Sequence, residues 1–286
     1  MKFEVRHKTT YVYGSPVQDS FNEAYLCPVS DQFQLCHTFN LEISPAGANI
    51  LRRLDFYTNQ VHSFELSNPH DRLDVTARSR VETFVDARDF SVFSDPAALP
   101  ELKKDEWLYD FLHVSERVPL NPMLIHEATE VVRGFENVQE AAERIMRFVY
   151  NEFTYSPGAT VVETAVCEVF ARRKGVCQDF AHVMIALCRA VNIPARYVSG
   201  YFWMEQSREG TADDNTVSHA WVDCFLPGIG WVGYDPTHNR RVNETYVKVA
   251  VGRDYGDVRP LSGTFRGPSS AEMDVAVEVL RLEENL

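Results

Sequence analysis

No stretch of this chain approaches the roughly 18 uninterrupted apolar residues of an ordinary membrane-spanning helix. A membrane is therefore not expected among its partners. The opening residues 1–7 alternate in strand fashion without an apolar h-region, so a secretory leader is not expected either. Cysteine is sparse, six in 286 residues with no Cys-x-x-Cys pair, which fits a reducing compartment better than a disulfide framework. A cytoplasmic location follows as the expectation. His-Glu-x-x-His spacing, a phosphate loop and a Gly-rich dinucleotide fingerprint are missing too, so neither a metal nor a cofactor is implied. Basic charge is in short supply: the formal net charge of −13 argues against a nucleic-acid surface, which needs clustered Lys and Arg. Repeats and low-complexity tracts are absent.

What is present is a 45% apolar chain, long enough to bury a substantial core in two domains. Residues 1–85 alternate polar and apolar positions between Pro and Asn/Asp breaks and read as an all-β, sandwich-like domain. Residues 86–104 mix charge with Pro96 and Pro100 and read as a linker. Residues 105–286 form the second domain, α+β in class. Apolar spacing predicts helices over 122–135 and 138–153. Strands over 246–251 and 273–279 are expected to complete its sheet.

The segment Gly175-Val176-Cys177-Gln178-Asp179-Phe180-Ala181-His182 places a cysteine where the chain enters a helix. Phe180, Val183, Met184, Leu187 and Val191 recur at helical steps, and Asn192-Ile193-Pro194 ends the run. Cys177 thus stands in the first turn, where unpaired N–H groups and the helix dipole favour an anion, and a thiol becomes reactive. Gly175 is expected to leave room for a substrate, and the Cys177 N–H to face a developing oxyanion. Cys167, Cys188 and Cys224 read as buried thiols. Arg172, Arg173 and Lys174 read as a helix C-terminus ahead of Cys177.

A nucleophilic thiol needs a base, and the base an orienting group. Residues 218–226 and 231–237 read as two strands around a Pro227-Gly228-Ile229-Gly230 turn, a hairpin with His219 on one arm and Asp235 on the other. A turn centred on Gly228-Ile229 puts the residue opposite His219 near 236–238, with Asp235 in diagonal reach. Asp223 shares a strand face with His219 but lies about 13 Å along it. Cys177, His219 and Asp235 then stand 42 and 16 residues apart in that order. His182 reads as a structural histidine, and it, His219, His238 and the cysteines lack metal-site spacing.

Gly-Val-Cys-Gln-Asp-Phe-Ala at 175–181, Asn192-Ile193-Pro194-Ala195-Arg196 with Tyr197 to Tyr201, Ser218-His219-Ala220-Trp221-Val222, Gly230-Trp231 and Asp235-Pro236-Thr237 together resemble the core of the transglutaminase-like superfamily. Asn192 departs from the Gly many relatives carry there, but Asn tolerates the left-handed conformation a helix end requires. Residues 21–28 and 55–59 resemble the β-domain that precedes this core in bacterial members. The resemblance implies a papain-like transglutaminase core, with Cys177, His219 and Asp235 as its catalytic set on a helix N-terminus packed against an antiparallel sheet.

The activity so implied is cysteine-dependent acyl transfer through an acyl-enzyme, on a protein or peptide substrate. Water as acceptor gives amide hydrolysis, a peptidase activity; an amine gives protein-glutamine transamidation. An inactive binding or scaffold module of the same fold is the non-enzyme alternative. Gln178, Tyr155 and Trp221 are candidates for a second oxyanion donor or substrate contact. The polar segment 203–216 reads as a connector bordering the site.

Overall fold

The computed structural model describes residues 1–162, 164–204, 218–267 and 270–283. Five strands open the chain: β1 (Lys2–Ala24), β2 (Gln34–Ser44), β3 (Ile50–Leu54), β4 (Gln60–Leu66) and β5 (His70–Thr83). Helices α1 (Leu99–Leu102), α2 (Pro122–Val131) and α3 (Val138–Glu152) follow, then β6 (Thr154–Tyr155), α4 (Val166–Arg172), β7 (Lys174–Gly175) and α5 (Cys177–Ala190). The chain continues through β8 (Ala195–Phe202), β9 (Ser218–Leu226), β10 (Gly230–Asp235), β11 (Arg240–Arg241), β12 (Tyr246–Gly252), β13 (Leu261–Arg266) and β14 (Ala271–Arg281). No helix among the described residues is long and apolar enough to cross a membrane.

β1 organises the N-terminal half because it serves two leaves. Its first part pairs antiparallel with β5 and β14, and its last part with β13 from Gln18 and with β4 from Ser20. Between them the register against β13 shifts, with Asp19 at φ 48°, a bulge that bends the strand from one leaf into the other. The expected all-β N-terminal half is present. The C-terminal strands divide, which corrects the sequence reading: β12 joins the second sheet, whereas β13 and β14 return to β1. Alternation in 273–279 specifies a strand but not its partner, and β1 offers two open edges on which to add one.

The second sheet is antiparallel, in the order β11-β10-β9-β8-β12, and α5 packs on it. Ala181, Met184, Ile185, Leu187 and Cys188 of α5 and Ala220, Val222 and Cys224 of β9 are buried in one apolar cluster. Burying each such Leu, Ile or Met side chain contributes about 1.5–3 kcal/mol. The same cluster includes Phe3, Val5 and Val81, so the two halves share a core. Asn121 and Asn137 accept the N–H of Met123 and Gln139, 2.8 and 2.9 Å, and start α2 and α3. α2 stops at Val131, short of the expected 135, because Arg133 and Phe135 bond back only three residues, to Glu130 and Val132. α5 ends as expected on Asn192 at φ 64°, with the Ile193 N–H on the Cys188 carbonyl at 2.9 Å.

Candidate active site

β6 and β7 form a short parallel pair, Tyr155 opposite Gly175, that delivers the chain into α5. Val176 is extended and Cys177 is the first helical residue. Valine cannot cap a helix with its side chain; instead Asp179 folds back so that its Oδ2 accepts the Val176 N–H at 2.9 Å and the Thr160 hydroxyl at 2.6 Å. Burial pushes the Asp179 carboxyl up against the lowering effect of those two bonds. A Cβ on residue 175 would lie 2.6 Å from both Cβ and Oδ2 of Asp179. Gly175 therefore makes room for the Asp179 cap rather than for a substrate, correcting the sequence expectation. Cys177 itself is half-buried.

In the β9–β10 hairpin Leu226 pairs with Gly230 and Val222 with Tyr234, a register that extrapolates to residue 237 opposite His219. Asp235 closes the diagonal: His219 Nε2 lies 2.8 Å from Asp235 Oδ2. Cys177 also acts on the ring, raising its basicity, and with Nε2 on the carboxylate, Nδ1 is the nitrogen left for the thiol. Burial lowers the basicity of His219, but the charge and hydrogen bond of Asp235, with a further contribution from Cys177, outweigh it and hold the imidazole up at about 10. Asp235 is 0% exposed. Burial would raise its carboxyl, yet the charges and bonds of His219 and His238 hold it well below the usual carboxylate range.

Two partners of Asp235 escaped sequence reasoning. Tyr246 on β12 donates its hydroxyl to Oδ2 at 2.7 Å, and His238 places Nδ1 2.8 Å from the same oxygen. Oδ1 accepts the N–H groups of Thr237 and His238, at 2.8 and 3.2 Å. The tight Asp-Pro-Thr-His turn was a signal for His238; nothing local pointed to Tyr246, which arrives through the sheet order.

The other candidates fall out differently. Gln178 donates its amide to the Val162 carbonyl at 3.3 Å, so that donor is turned to the neighbouring loop. Tyr155 is 51% exposed beside the start of α5, with its ring edge-on to Phe180. Trp221 is 0% exposed, packs with Val198, Tyr246 and Val251, and its Nε1 meets no hydrogen-bond partner among the described residues. Its burial corrects the reading of it as a substrate contact: it supports the sheet at the site. Asp223 is drawn away by Arg196 and Lys248, at 2.9 and 3.4 Å. His182 is buried, accepting the Tyr255 N–H at 3.1 Å, and burial with the charges of Arg117 and Arg189 lowers it to about 4 against the pull of Asp254. Arg173 caps α4 and lies over Phe148, Phe153 and Phe170. Residues 205–217, most of the expected connector, lie outside the described residues.

Among the described residues, His219, Asp235 and His238 bring three potential metal-ligand atoms within 4.8 Å of one another. Those atoms converge through hydrogen bonds to one carboxylate oxygen, shared also by Tyr246. Hydrogen bonding alone accounts for the cluster.

Sequence comparison matches residues 126–236 to the Transglutaminase-like superfamily and residues 3–82 to the Bacterial transglutaminase-like N-terminal region. The chain is 34% identical over 282 residues to an uncharacterized protein of Mycobacterium leprae, covering 98% of this chain and 99% of that one. A protein-glutamine gamma-glutamyltransferase of Pseudomonas aeruginosa is 35% identical over 101 residues, 34% of this chain and 15% of that protein. Among solved structures, one described as a "Putative Cysteine Protease" from Cytophaga hutchinsonii superposes with a TM-score of 0.78 at 25% identity, covering 99% of this chain and 92% of that one. With both halves matched in order, the chain belongs to the transglutaminase-like superfamily, with the N-terminal region of its bacterial members.

Proposed function

We propose that the chain is a cysteine-dependent amide hydrolase, a peptidase acting through Cys177, His219 and Asp235. The observation that carries this reading is the position of His219, hydrogen-bonded to the buried Asp235 and raised in basicity by Cys177 at the start of α5. In the proposed reaction Cys177 gives its proton to His219 Nδ1, and sulfur attacks the amide carbonyl carbon. The carbonyl oxygen becomes an oxyanion, facing the unpaired N–H groups at the start of α5. Collapse breaks the C–N bond, the amine leaves with the proton held by His219, and a thioester to Cys177 remains. Water then attacks that thioester with His219 as base, releasing the carboxylic acid and the thiol. Asp235 fixes the ring and stabilises its charged form. A protein or peptide is the substrate class, and the cytoplasm the setting that keeps the thiol reduced.

Transamidation is the second reading, favoured by the local identity to a protein-glutamine gamma-glutamyltransferase. It differs only in the acceptor: an amine takes the acyl group instead of water. Incubating the protein with glutamine-containing peptides, with and without a primary amine, separates the two by product mass. Free acid in both arms supports hydrolysis, and an amine adduct supports transamidation. Turnover that survives Cys177→Ala would overturn both.

A further inference from the structure

Asp235 Oδ2 is an unusually crowded acceptor. His219 Nε2, His238 Nδ1 and the Tyr246 hydroxyl all reach it, at 2.8, 2.8 and 2.7 Å, within a site that leaves Asp235 no exposure. An ionised carboxylate only accepts, so each of these three atoms carries its proton towards it. That places a proton on His219 Nε2 and makes Nδ1 the nitrogen that exchanges its proton with Cys177. It also means that the charge of Asp235 is divided among three donors instead of being spent on His219 alone.

The three donors come from separate parts of the chain. His219 is on β9, His238 follows β10, and Tyr246 is on β12, two strands away from β9 in the sheet. Phe202 of β8 fills the space among them, stacked on Tyr246 at 4.4 Å and tilted against His238 and His219 at 4.8 and 5.7 Å between ring centres. Tyr246 is buried while the His238 side chain is 27% exposed. One fixed hydroxyl and one solvent-facing imidazole thus flank the His219–Asp235 pair.

We infer that Tyr246 and His238 are positioning residues for His219, acting through Asp235 to hold the imidazole in line and to temper how tightly it keeps its proton. The inference rests on the triad reading above. A carboxylate given other donors is a weaker partner for an imidazolium, and a general acid must release its proton to the leaving amine. The Tyr246 hydroxyl and the His238 N–H weaken that grip while the two N–H groups on Oδ1 keep Asp235 in place. Among the described residues, the titratable and charged groups that face His219 are Cys177 from α5, Asp235 from β10, and His238; Tyr246 acts through Asp235, and Arg240 acts on Tyr246.

The experiment has two readouts on the full chain. Iodoacetate alkylation of Cys177 across pH tests the triad: its anionic carboxylate is drawn to an imidazolium, so the wild-type rate falls on the alkaline side as His219 loses its proton, and it lacks this limb in His219→Ala. A wild-type profile without that limb removes the triad reading and this inference with it. Histidine NMR titration, with the His219 signal assigned by its loss in His219→Ala, tests the inference itself. In Tyr246→Phe, which keeps the ring and removes only the donor, the His219 midpoint is expected to rise by about one pH unit. His238→Ala, at a partly exposed site, serves as the second variant and is expected to move it the same way, with His238→Gln, which retains a donor, restoring part of the shift. A midpoint that stays put or falls in a folded Tyr246→Phe or His238→Ala variant, while the wild type keeps its alkaline limb, overturns the positioning role.

Discussion

Gly200 lies directly opposite His219 in the β8–β9 ladder, and the indole of Trp221 lies against it: a Cβ on residue 200 would come within 2.5 Å of Trp221 Cη2 and 2.2 Å of the Val247 carbonyl oxygen. Only glycine fits between the ring and the β12 backbone here. Gly200→Ala must move either, and a backbone carbonyl does not give. The expected outcome is a loss of about 1–3 kcal/mol with slower alkylation of Cys177, measured by denaturant unfolding and by mass spectrometry. Unchanged stability would mean that the strands separate freely here.

The free edge of β12 is closed by two side-chain amides from the N-terminal half. Gln34 accepts the Lys248 N–H and donates to the Lys248 carbonyl, both at 2.8 Å. Asn59 does the same to Val251, at 2.8 and 2.7 Å. Both amides are buried, and each takes the place of a neighbouring strand's peptide group. Asn59→Ala leaves the Val251 N–H and carbonyl unpaired, and Gln34→Ala leaves the Lys248 N–H unpaired while its carbonyl keeps the Val29 N–H at 3.2 Å, a cost of about 1–3 kcal/mol each. Hydrogen exchange at Lys248 and Val251 should accelerate in the respective variant. Protection kept at wild-type level would show that the edge is sealed by other means.

The contrast between these features and the triad shows what a sequence carries. His219 and Asp235 were legible because a hairpin is local: the turn residues fix the register, and the register fixes the diagonal. The start of α5 was legible from apolar spacing and from its Asn192 stop. Tyr246 was not, since it reaches Asp235 only after β8 inserts between β9 and β12, a fact of sheet order that no short window contains. The partners of β13 and β14 were hidden for the same reason. Gly175 was misread because the group that needs its space, Asp179, folds back from within the helix that it precedes.

The six cysteines are all free thiols, and their surroundings predict unequal fates. Cys188 and Cys224 face each other at 3.7 Å between sulfurs, both 0% exposed. Burial pushes the Cys224 thiol well up. Cys177 is half-buried beside its imidazole. Brief treatment of the native protein with iodoacetamide is therefore expected to modify Cys177 while leaving Cys188 and Cys224 untouched, and Cys177→Ala is expected to remain folded and lose that modification. Peptide mass mapping reads both. Equal labelling of Cys177 and Cys188 would show that the α5–β9 packing opens on that timescale, contrary to their burial.

The charge pair at the site also sets a pH dependence of stability. His219 is held at about 10 in the fold against an ordinary 6.5, so the folded chain keeps this proton more tightly than the unfolded chain. Its contribution is fully present below about 6.5 and is lost as pH rises through about 10. Asp235 runs the other way: held below its ordinary 3.8, it contributes above that value and its contribution is lost as pH falls further. Stability should thus decline from about pH 6.5 to 10 with a slope to which His219 contributes one proton. His219→Ala removes that slope. The gap in unfolding free energy between wild type and variant is expected to be widest near pH 6 and to close toward pH 10, as read from denaturant midpoints at each pH. A gap that stays constant across this range would place the stabilising effect of His219 in its packing against Phe202 and Trp221 instead of in its charge.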